Sequence, residues 1–339
     1  MIRMAVIGGG AWGTALATHG ARLGHEVRIW AFEPDVVADI MEHHENRTFL
    51  PGVALPASVT ASCSLEEVLG GAEVVIFVAP SSHLRRVSAE AAAHVDPGAL
   101  VIVATKGIEE GSLLLMSEVL AETLPAVGWD RLAFLSGPNF AKEVARGLPT
   151  DSVVASKDRG AAERAQRALH HPRFRVYTSL DPVGVEVGGA IKNVLAIATG
   201  TCDALGMGLN ARAALMTRGL SEMARLGVAL GADPLTFIGM AGVGDLILTC
   251  TGDLSRNRAL GQKIAEGVNA REYLRTQRSV AEGFTTCVAA RALARRHGVD
   301  MPITEEVHAV LHEDRPLAEA LQNLLTRSSK AELHGLGPP

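Results

Sequence analysis

Short apolar runs alternate with helical patterns through the first half of the chain. Most of these runs are apolar throughout, which is typical of parallel strands covered on both faces, and helical segments separate them. Residues 151–155 and 174–178 are expected to complete the sheet. The pattern predicts an α/β fold with a doubly wound, mostly parallel sheet. The five apolar runs are residues 3–7, 26–30, 73–80, 100–107 and 132–138.

Helical patterns dominate the second half, from Gly184 onward. The alternation breaks at residues 180–182, so we place a domain boundary there. We expect an α/β domain over residues 1–180, an all-α domain over residues 181–330, and a small, polar and loose tail over residues 331–339. The chain of 339 residues is long enough for two domains of about 150 residues each.

The helix that opens the all-α domain is apolar around its whole circumference, which predicts a helix covered on all sides. Between Glu186 and Asp203, Lys192 is its only charged side chain. Such a lysine either loses its charge or meets a carboxylate or a bound anion; alternatively, it reaches water from a helix edge. Because Lys192 interrupts the apolar run, no stretch of about 18 residues is left for a membrane span, and we expect no membrane insertion.

Composition narrows the function classes. Apolar residues are 47% and charged residues 20% of the chain, as in an ordinary globular protein. The net charge of −5, without a long basic block, argues against a nucleic-acid partner. The chain has no basic-then-apolar leader, and its four cysteines are far apart without a C-x-x-C motif. We therefore expect a cytoplasmic protein without a disulfide framework or zinc knuckle.

A glycine-rich turn follows the first apolar run and precedes a helical segment. It is G-x-G-x-x-G on Gly8, Gly10 and Gly13, in the context that a dinucleotide-binding, Rossmann-type turn needs. Gly8 permits the tight turn, Gly10 lets the backbone approach a pyrophosphate, and Gly13 allows close helix–strand packing. Free N–H groups at the helix start supply the anion site. The motif alone is weak, and a similar turn without a ligand is the alternative.

Two residues bear on the choice between NAD and NADP. Glu33 lies 20 residues past Gly13, where an acidic residue binds the ribose hydroxyls and favours NAD. Arg47 could instead reach a 2′-phosphate if its loop folds back. The sequence leaves NAD or NADP open.

Lys106 and residues 136–139 each follow an apolar run, and ligands of doubly wound sheets bind beyond the carboxyl ends of the strands. On this position we favour a functional role for Lys106. A lysine in a solvated loop is the alternative.

Two helix starts in the second half carry polar side chains. Asp245 follows a glycine-rich segment, and helix capping is the simpler account of it. Ser255 can cap a further helix whose first turn carries Arg256 and Asn257. The helix dipole, the N–H donors and the guanidinium together suit a phosphate, whereas the alternative is an arginine on a solvated helix surface.

His308 and His312 are four residues apart, a spacing that can hold zinc. They belong to an amphipathic, glutamate-rich helix, and no third ligand lies at a fixed offset. We expect no metal site.

Taken in order, these motifs resemble the NAD(P)-dependent glycerol-3-phosphate dehydrogenases of the bacterial type. The resemblance runs from Val6 to about Ala290, nearly the whole chain. Of the segments that carry it, the first is generic to the fold, whereas the last four together, in this order, are highly specific. The segments that carry the resemblance are residues 8–17, 46–52, 105–108, 136–143, 189–194, 244–251 and 255–257.

This resemblance implies an enzyme that reduces dihydroxyacetone phosphate to sn-glycerol 3-phosphate, a phospholipid precursor, with NAD(P)H. It implies that Lys192 is the general acid–base and that Lys106 and Asp245 act beside it. The substrate contacts that it implies are Lys106, Gly137, Asn139, Lys192, Asp245, Thr249, Ser255, Arg256 and Asn257. The implied cofactor contacts are Gly8, Gly10, Ala11, Trp12, Gly13, Phe32, Arg47, Lys106, Ala141, Arg256, Val280 and Glu282, and no metal is implied.

The chemistry of ketone reduction agrees with this set. Hydride delivery leaves negative charge on the ketone oxygen, so a proton donor must lie beside it. Burial lowers the pKa of a lysine while Asp245 opposes the decrease, and we expect Lys192 to be protonated when substrate binds. Lys106 would add positive charge near the developing alkoxide.

Two rival functions use the same architecture. β-Hydroxy acid dehydrogenases carry an asparagine four positions after their lysine, whereas Ala196 is found there. A regulator that binds NAD without turnover needs neither paired lysines nor a second anion site. The expected partner is a small phosphorylated substrate, and the oligomeric state is open, a homodimer being one option.

Overall fold

The computed structural model of the protein describes residues 1–278, 280–329 and 331–332. Apart from its first two residues, the tail expected over 331–339 lies outside the described residues, as do Ser279 and Lys330. The chain forms two compact units. The first unit consists of Met1–Thr105 and Met116–Pro182, and the second of Lys106–Leu115 and the chain from Val183 onward.

The first unit is built on an eight-stranded sheet, in the strand order 3-2-1-4-5-6-7-8. Neighbouring strands are parallel except for the sixth and seventh, which are antiparallel. The predicted doubly wound, mostly parallel sheet is confirmed. The strands are β1 (Arg3–Ile7), β2 (Glu26–Trp30), β3 (Val59–Ser62), β4 (Val74–Phe77), β5 (Leu100–Val103), β6 (Leu132–Ser136), β7 (Thr150–Ala155) and β8 (Phe174–Ser179). The helices of this unit are α1 (Ala11–Arg22), α2 (Pro34–His43), α3 (Leu65–Leu69), α4 (Ser81–Ala91), α5 (Met116–Thr123), α6 (Ala141–Ala145) and α7 (Arg159–Leu169), with a 3₁₀ turn at Trp129–Arg131.

The apolar pattern predicts the central strands and fails at one edge. β4 and β5 are buried at every position, so each is a continuous apolar run in the sequence. β3 is the edge strand beside β2, and only Val59 of its four residues is buried. A half-exposed edge strand needs no apolar run, which is why the sequence pattern does not predict β3.

The second unit is built from helices around α8 (Pro182–Ala204). Residues 184–197 of α8 are all buried, which confirms a helix covered on all sides. By length and composition α8 could cross a membrane, but 89% of its apolar window is buried inside the protein, as in the core helix of a globular domain. The other helices are α9 (Gly208–Ala229), α10 (Asp245–Thr251), α11 (Arg256–Ala265), α12 (Ala270–Arg275), α13 (Glu282–Arg296), α14 (Pro302–His312) and α15 (Leu317–Leu325), with a 3₁₀ turn at Pro234–Ile238 and a π-helical turn at Met240–Gly244.

Two glycines let neighbouring segments approach α8 closely. A methyl group on Gly188 of α8 would lie 2.4 Å from the carbonyl oxygen of Ala241. A methyl group on Gly261 of α11 would lie 2.0 Å from that of Ile197. Any larger residue would push these backbones apart, so the glycines bring α11 and the segment before α10 against the helix that carries Lys192.

Candidate active site

Lys192 is buried, and its ammonium group points into the second unit. Only 6% of the residue is exposed. Nζ donates hydrogen bonds to Asp245 Oδ1 at 2.5 Å and to Thr249 Oγ1 at 2.8 Å. The alternative of a side chain that reaches water from a helix edge is therefore wrong, and the expected carboxylate partner is Asp245.

Lys106 binds the other oxygen of the same carboxylate. Its Nζ donates to Asp245 Oδ2 at 2.8 Å, and only 15% of its side chain is exposed. The alternative of a solvated loop lysine is wrong. One buried carboxylate thus holds two ammonium groups, one on each oxygen.

Asp245 reaches these lysines through an irregular piece of backbone. The N–H of Gly244 donates to the carbonyl of Gly239, five residues earlier, at 3.2 Å, which makes Met240–Gly244 a π-helical turn. Such turns are rare and often occur at functional sites. Asp245 is the first residue of α10 and makes no capping bond; the N-cap position is Gly244. Helix capping, the simpler interpretation of Asp245, is therefore wrong.

Thr249 lies one turn after Asp245 on the same face of α10. Its hydroxyl accepts a hydrogen bond from Lys192 and donates one to Asp245 Oδ1 at 3.2 Å. Both contacts fix the position of the Lys192 ammonium relative to the carboxylate.

Burial and charge act against each other in this cluster. Burial lowers the pKa of Lys192 from 10.5 to about 8; Asp245 opposes the decrease and Lys106 adds to it. Burial alone would raise the pKa of Asp245, but the two ammonium groups outweigh it and hold that pKa below its usual value. Asp245 is therefore ionised, and Lys192 can gain or lose a proton near neutral pH.

The start of α11 provides a second polar group. Ser255 Oγ accepts a hydrogen bond from the Arg258 N–H at 3.2 Å, which confirms the predicted cap. Arg256 is exposed; partial burial of its guanidinium lowers its pKa, and the Glu282 carboxylate opposes the decrease. A helix N-terminus beside a guanidinium suits an anion.

Asn257 joins three helices. Its Nδ2 donates to Asn193 Oδ1 of α8 at 2.9 Å, and its Oδ1 accepts from the N–H of Gly283 in α13 at 2.9 Å. Because Asn193 follows Lys192, these bonds tie the start of α11 to the lysine cluster. No local motif predicts this role of Asn193, for which the position next to Lys192 is the available signal.

The Asp203 carboxylate further fixes the start of α11. Arg258 donates to Asp203 Oδ2 through Nε at 3.1 Å and Nη2 at 2.9 Å. The sequence does not predict this pair, because the two residues are 55 positions apart and neither belongs to a local motif.

In the first unit, the Gly8–Gly13 turn has the shape of an anion site. Gly8 has φ +137°, and a methyl group on Gly13 would lie 1.9 Å from the Gly8 carbonyl oxygen, so the predicted close packing at Gly13 is confirmed. A methyl group on Gly10, the N-cap of α1, would meet no atom of the described residues within 4 Å. Among the described residues, the buried indole N–H of Trp12 has no hydrogen-bond partner. Open space, a helix start without a side-chain cap and an unsatisfied donor suit a dinucleotide.

Of the residues expected at the adenosine end, Phe32 follows β2 and Arg47 follows α2. Phe32 is 67% exposed, and the Arg86 guanidinium lies over its ring at 5.6 Å from the centroid. Arg47 forms an ion pair with Asp39, with Arg47 Nε 2.9 Å from Asp39 Oδ1. The Asp39 carboxylate on α2 therefore holds the Arg47 side chain against that helix.

The remaining predicted site residues lie at element ends. Gly137, with φ +131°, and Asn139 follow β6, and Asn139 Nδ2 donates to Ser152 Oγ at 3.1 Å. Ala141 begins α6. Val280 is 40% exposed and lies just before Glu282, the first residue of α13.

The two histidines on α14 have protein partners. His308 contacts Arg291 Nη1 at 2.9 Å, and His312 Nε2 contacts the Phe284 carbonyl at 2.9 Å. Burial lowers the pKa of both rings, to about 4 for His308. Within the described ranges, no group of three or more His, Cys, Asp or Glu side chains is arranged to hold a metal ion.

Both halves of the chain match models of one protein family. The N-terminal model of NAD-dependent glycerol-3-phosphate dehydrogenase matches residues 3–162, and the C-terminal model matches residues 181–322. A relative from Geobacter metallireducens, named glycerol-3-phosphate dehydrogenase (NAD(P)+), is 50% identical over 97% of this chain and 98% of its own. A relative from Koribacter versatilis with the same name is 48% identical over 98% of this chain and 99% of its own. The crystal structure of glycerol-3-phosphate dehydrogenase from Coxiella burnetii superposes on this chain with a TM-score of 0.91. The two sequences are 41% identical, and the match covers 96% of this chain and 98% of that one.

Proposed function

Because the chain belongs to the NAD-dependent glycerol-3-phosphate dehydrogenase family, we propose a role in that family's reaction for each group around Lys192. The chain is an NAD(P)-dependent oxidoreductase that reduces dihydroxyacetone phosphate to sn-glycerol 3-phosphate. The observation that carries the assignment of roles is the buried ammonium of Lys192, bonded to Asp245 and Thr249. The two rival functions have no comparable support.

Lys192 is the general acid of the reduction and the general base of the reverse reaction. Bound NADH or NADPH supplies the hydride, and the ketone oxygen then needs a proton. General acids work best when their pKa lies near the working pH, and burial brings the pKa of Lys192 to about 8. An ordinary surface lysine would hold its proton too tightly to exchange it in both directions.

Asp245 and Thr249 position the Lys192 ammonium group and keep it charged. Two of its three N–H donors are bound by Asp245 Oδ1 and Thr249 Oγ1, so the third can point at a carbonyl oxygen. Lys106 stabilises the alkoxide that develops on that oxygen, because a fixed positive charge in a buried site acts strongly on a nearby charge.

Arg256 and the N-terminus of α11 hold the substrate phosphate. The guanidinium and the helix N–H groups are both complementary to a phosphate dianion. Asn257 fixes this helix start against α8 and α13, since both ends of its amide are bonded to protein groups.

The first unit holds the dinucleotide. We assign the pyrophosphate to the Gly8–Gly13 turn together with Ala11 and Trp12, and the adenosine end to Phe32 and Arg47. The product is the backbone of glycerophospholipids, which are the proposed destination of the reaction. A cytoplasmic location and a homodimer stay predictions, which cell fractionation and light scattering test.

The test of the assignment is Lys192→Met. The apolar side chain of similar length removes the proton donor, while Asp245 keeps the Lys106 ammonium as its partner. We expect kcat to fall by about 10²–10⁴-fold, the usual value of a general acid, with NADH binding retained in a fluorescence titration. Lys263→Met is the matched control, because Lys263 lies on α11 and, within the part of the chain that the structure describes, pairs with nearby Glu266 in a half-exposed ion pair. A near-normal rate in Lys192→Met would remove Lys192 from the chemistry.

Arg256→Ala tests the phosphate contact. We expect the KM for dihydroxyacetone phosphate to rise about 10–100-fold, equivalent to one hydrogen bond to a charged group of roughly 1.5–3 kcal/mol. The KM for unphosphorylated dihydroxyacetone should change little. Arg271→Ala removes an exposed arginine from the start of α12 and should leave both KM values unchanged. An equal effect of Arg256→Ala on both substrates would refute the phosphate role.

A further inference from the structure

Asn46 is a fully buried residue, and both polar atoms of its side-chain amide are hydrogen-bonded. Asn46 has no exposed surface, whereas the neighbouring Arg47 is exposed. Nδ2 donates to the carbonyl of Gly9 at 2.8 Å and to Thr14 Oγ1 at 2.8 Å. Oδ1 accepts from the N–H of Phe49 at 3.0 Å. A rotated amide would place donor against donor and acceptor against acceptor, so this orientation is fixed.

The loop that carries Asn46 is itself well anchored. The N–H of Leu50 donates to the Asn46 carbonyl at 2.8 Å, and Leu50, Val53 and Leu55 are buried in the core of the first unit. Glu45 Oε1 accepts from the N–H of Gly52 at 2.7 Å. Asn46 therefore contacts the glycine turn from a rigid support.

Holding the Gly9 carbonyl also sets the direction of the next N–H group. In a trans peptide the C=O of one residue and the N–H of the following residue lie in one plane and point in opposite directions, and the described residues contain no cis peptide. Gly9 has no side chain to limit its own rotation, but its Cα hydrogens face Ala31, whose Cβ lies 2.6 Å from where a methyl group would be. Because the Gly9 carbonyl is bonded to Asn46, the Gly10 N–H points away from Asn46. Gly10 is also the residue around which the space is open.

We infer that Asn46 is a positioning residue for the cofactor: it holds the Gly9–Gly10 peptide so that the Gly10 N–H is presented to the pyrophosphate of NADH or NADPH. The bond to Thr14 ties the first turn of α1 to the same amide, so the turn and the helix start are held as one anion site. Asn46 does not touch the ligand. This inference rests on the proposed function in one respect, that the dinucleotide binds at the Gly8–Gly13 turn.

The experiment measures NADH binding without substrate, by fluorescence titration of Asn46→Asp. Aspartate has the same size but replaces both N–H donors by an oxygen, so the Gly9 carbonyl loses its 2.8 Å bond from Asn46 and keeps the longer one from Thr14 Oγ1 at 3.4 Å. We expect the Kd for NADH to rise about tenfold or more, which corresponds to about 1.4 kcal/mol. The KM for NADH should rise in parallel, while the KM for dihydroxyacetone phosphate and kcat at saturating NADH stay within about threefold. Asn46→Ser, which is smaller and uncharged, is measured in the same way and decides the matter if Asn46→Asp folds poorly.

Glu45→Ala is the matched control, because it releases the same loop from Gly52 without touching the glycine turn. It should bind NADH as the parent protein does. A Kd within about twofold of the parent in folded Asn46→Asp or Asn46→Ser would overturn the inference, and so would an equal loss in Glu45→Ala. If the parent protein itself bound no NADH, the proposed cofactor site would fail instead, so the two failures are distinguishable.

Discussion

At the scale of single residues, the cluster of Lys106, Lys192 and Asp245 is a balance of opposed effects. Burial favours the neutral amine on Lys192, Asp245 favours the ammonium, and Lys106 acts with burial. The outcome, a pKa of about 8, lets one group donate a proton in one direction of the reaction and accept it in the other.

The pH dependence of the rate should report this pKa. Below about 8 Lys192 carries its proton, so ketone reduction is supported there and slows as the pH rises through 8. Alcohol oxidation needs the neutral amine, so its rate should rise through the same range. Profiles of kcat/KM for both directions, which report the pKa of the enzyme before substrate binds, measure this between about pH 6 and the ordinary lysine pKa of about 10.4. A limb of the reduction profile near the ordinary lysine pKa would contradict the assignment.

Substitution of the two neighbours should move that limb in opposite directions. Asp245→Asn removes the charge that raises the pKa of Lys192, so the limb should shift to lower pH. Lys106→Met removes the charge that lowers it, so the limb should shift to higher pH. A loss of rate in both variants without these opposite shifts would show that neither residue acts through the pKa of Lys192.

The sequence predicts the buried lysine but not the whole set of its partners. An apolar helical stretch with one lysine between Glu186 and Asp203 is a local pattern, and it indicates Lys192 correctly. Asp245 is 53 residues from Lys192 and 139 from Lys106, so its local pattern indicates only a helix start. The capping interpretation fails because long-range pairing, invisible to local pattern, determines what that carboxylate binds.

At the scale of elements, helix packing around α8 depends on residues without side chains. Gly188 and Gly261 allow contacts in which a methyl group would overlap a carbonyl oxygen. The sequence contains these glycines, yet a helical glycine is locally only a weak helix former. Its packing role, like the edge strand β3, is set by the neighbouring element, which is why local pattern does not reveal it.

Gly261→Ala should destabilise the protein although alanine is the better helix former. The methyl group would meet the Ile197 carbonyl, and overpacking of this kind costs about 1–3 kcal/mol, more than the helix propensity gain of about 0.5–1 kcal/mol. Gly160→Ala in α7 is the matched control, since its methyl group would face only the side chains of Asp158 and Arg164. Urea denaturation of both variants measures the free energy of unfolding; equal stability of the two would refute the packing argument.

At the scale of the whole molecule, the two units are not two consecutive pieces of chain. Lys106–Leu115 leaves the first unit and belongs to the second, where Ile108 and Leu115 are 3% and 5% exposed in its core. The same segment supplies Lys106 to Asp245. The helical unit is therefore incomplete without a segment encoded before the last three strands of the sheet.

A fragment of residues 183–339 should consequently be unstable on its own. It lacks two large core side chains, each worth about 2–5 kcal/mol when removed, and one of the two lysines that bind Asp245. Joining residues 106–115 to this fragment through a glycine–serine linker should restore a cooperative transition in urea, followed by circular dichroism. If the fragment without the segment unfolded at the same urea concentration, the segment would not be part of its core.

The path of Lys106–Leu115 has a consequence for biosynthesis. Ile108 and Leu115 leave the ribosome before any of the helices that cover them exists, because their partners begin at Val187. At a translation rate of about 5–20 residues per second, this interval lasts roughly 4–15 seconds. During this interval the nascent chain exposes a short apolar segment, while the remaining strands of the sheet are still being synthesised. This is the stage at which a ribosome-associated chaperone would have the most apolar surface to shield.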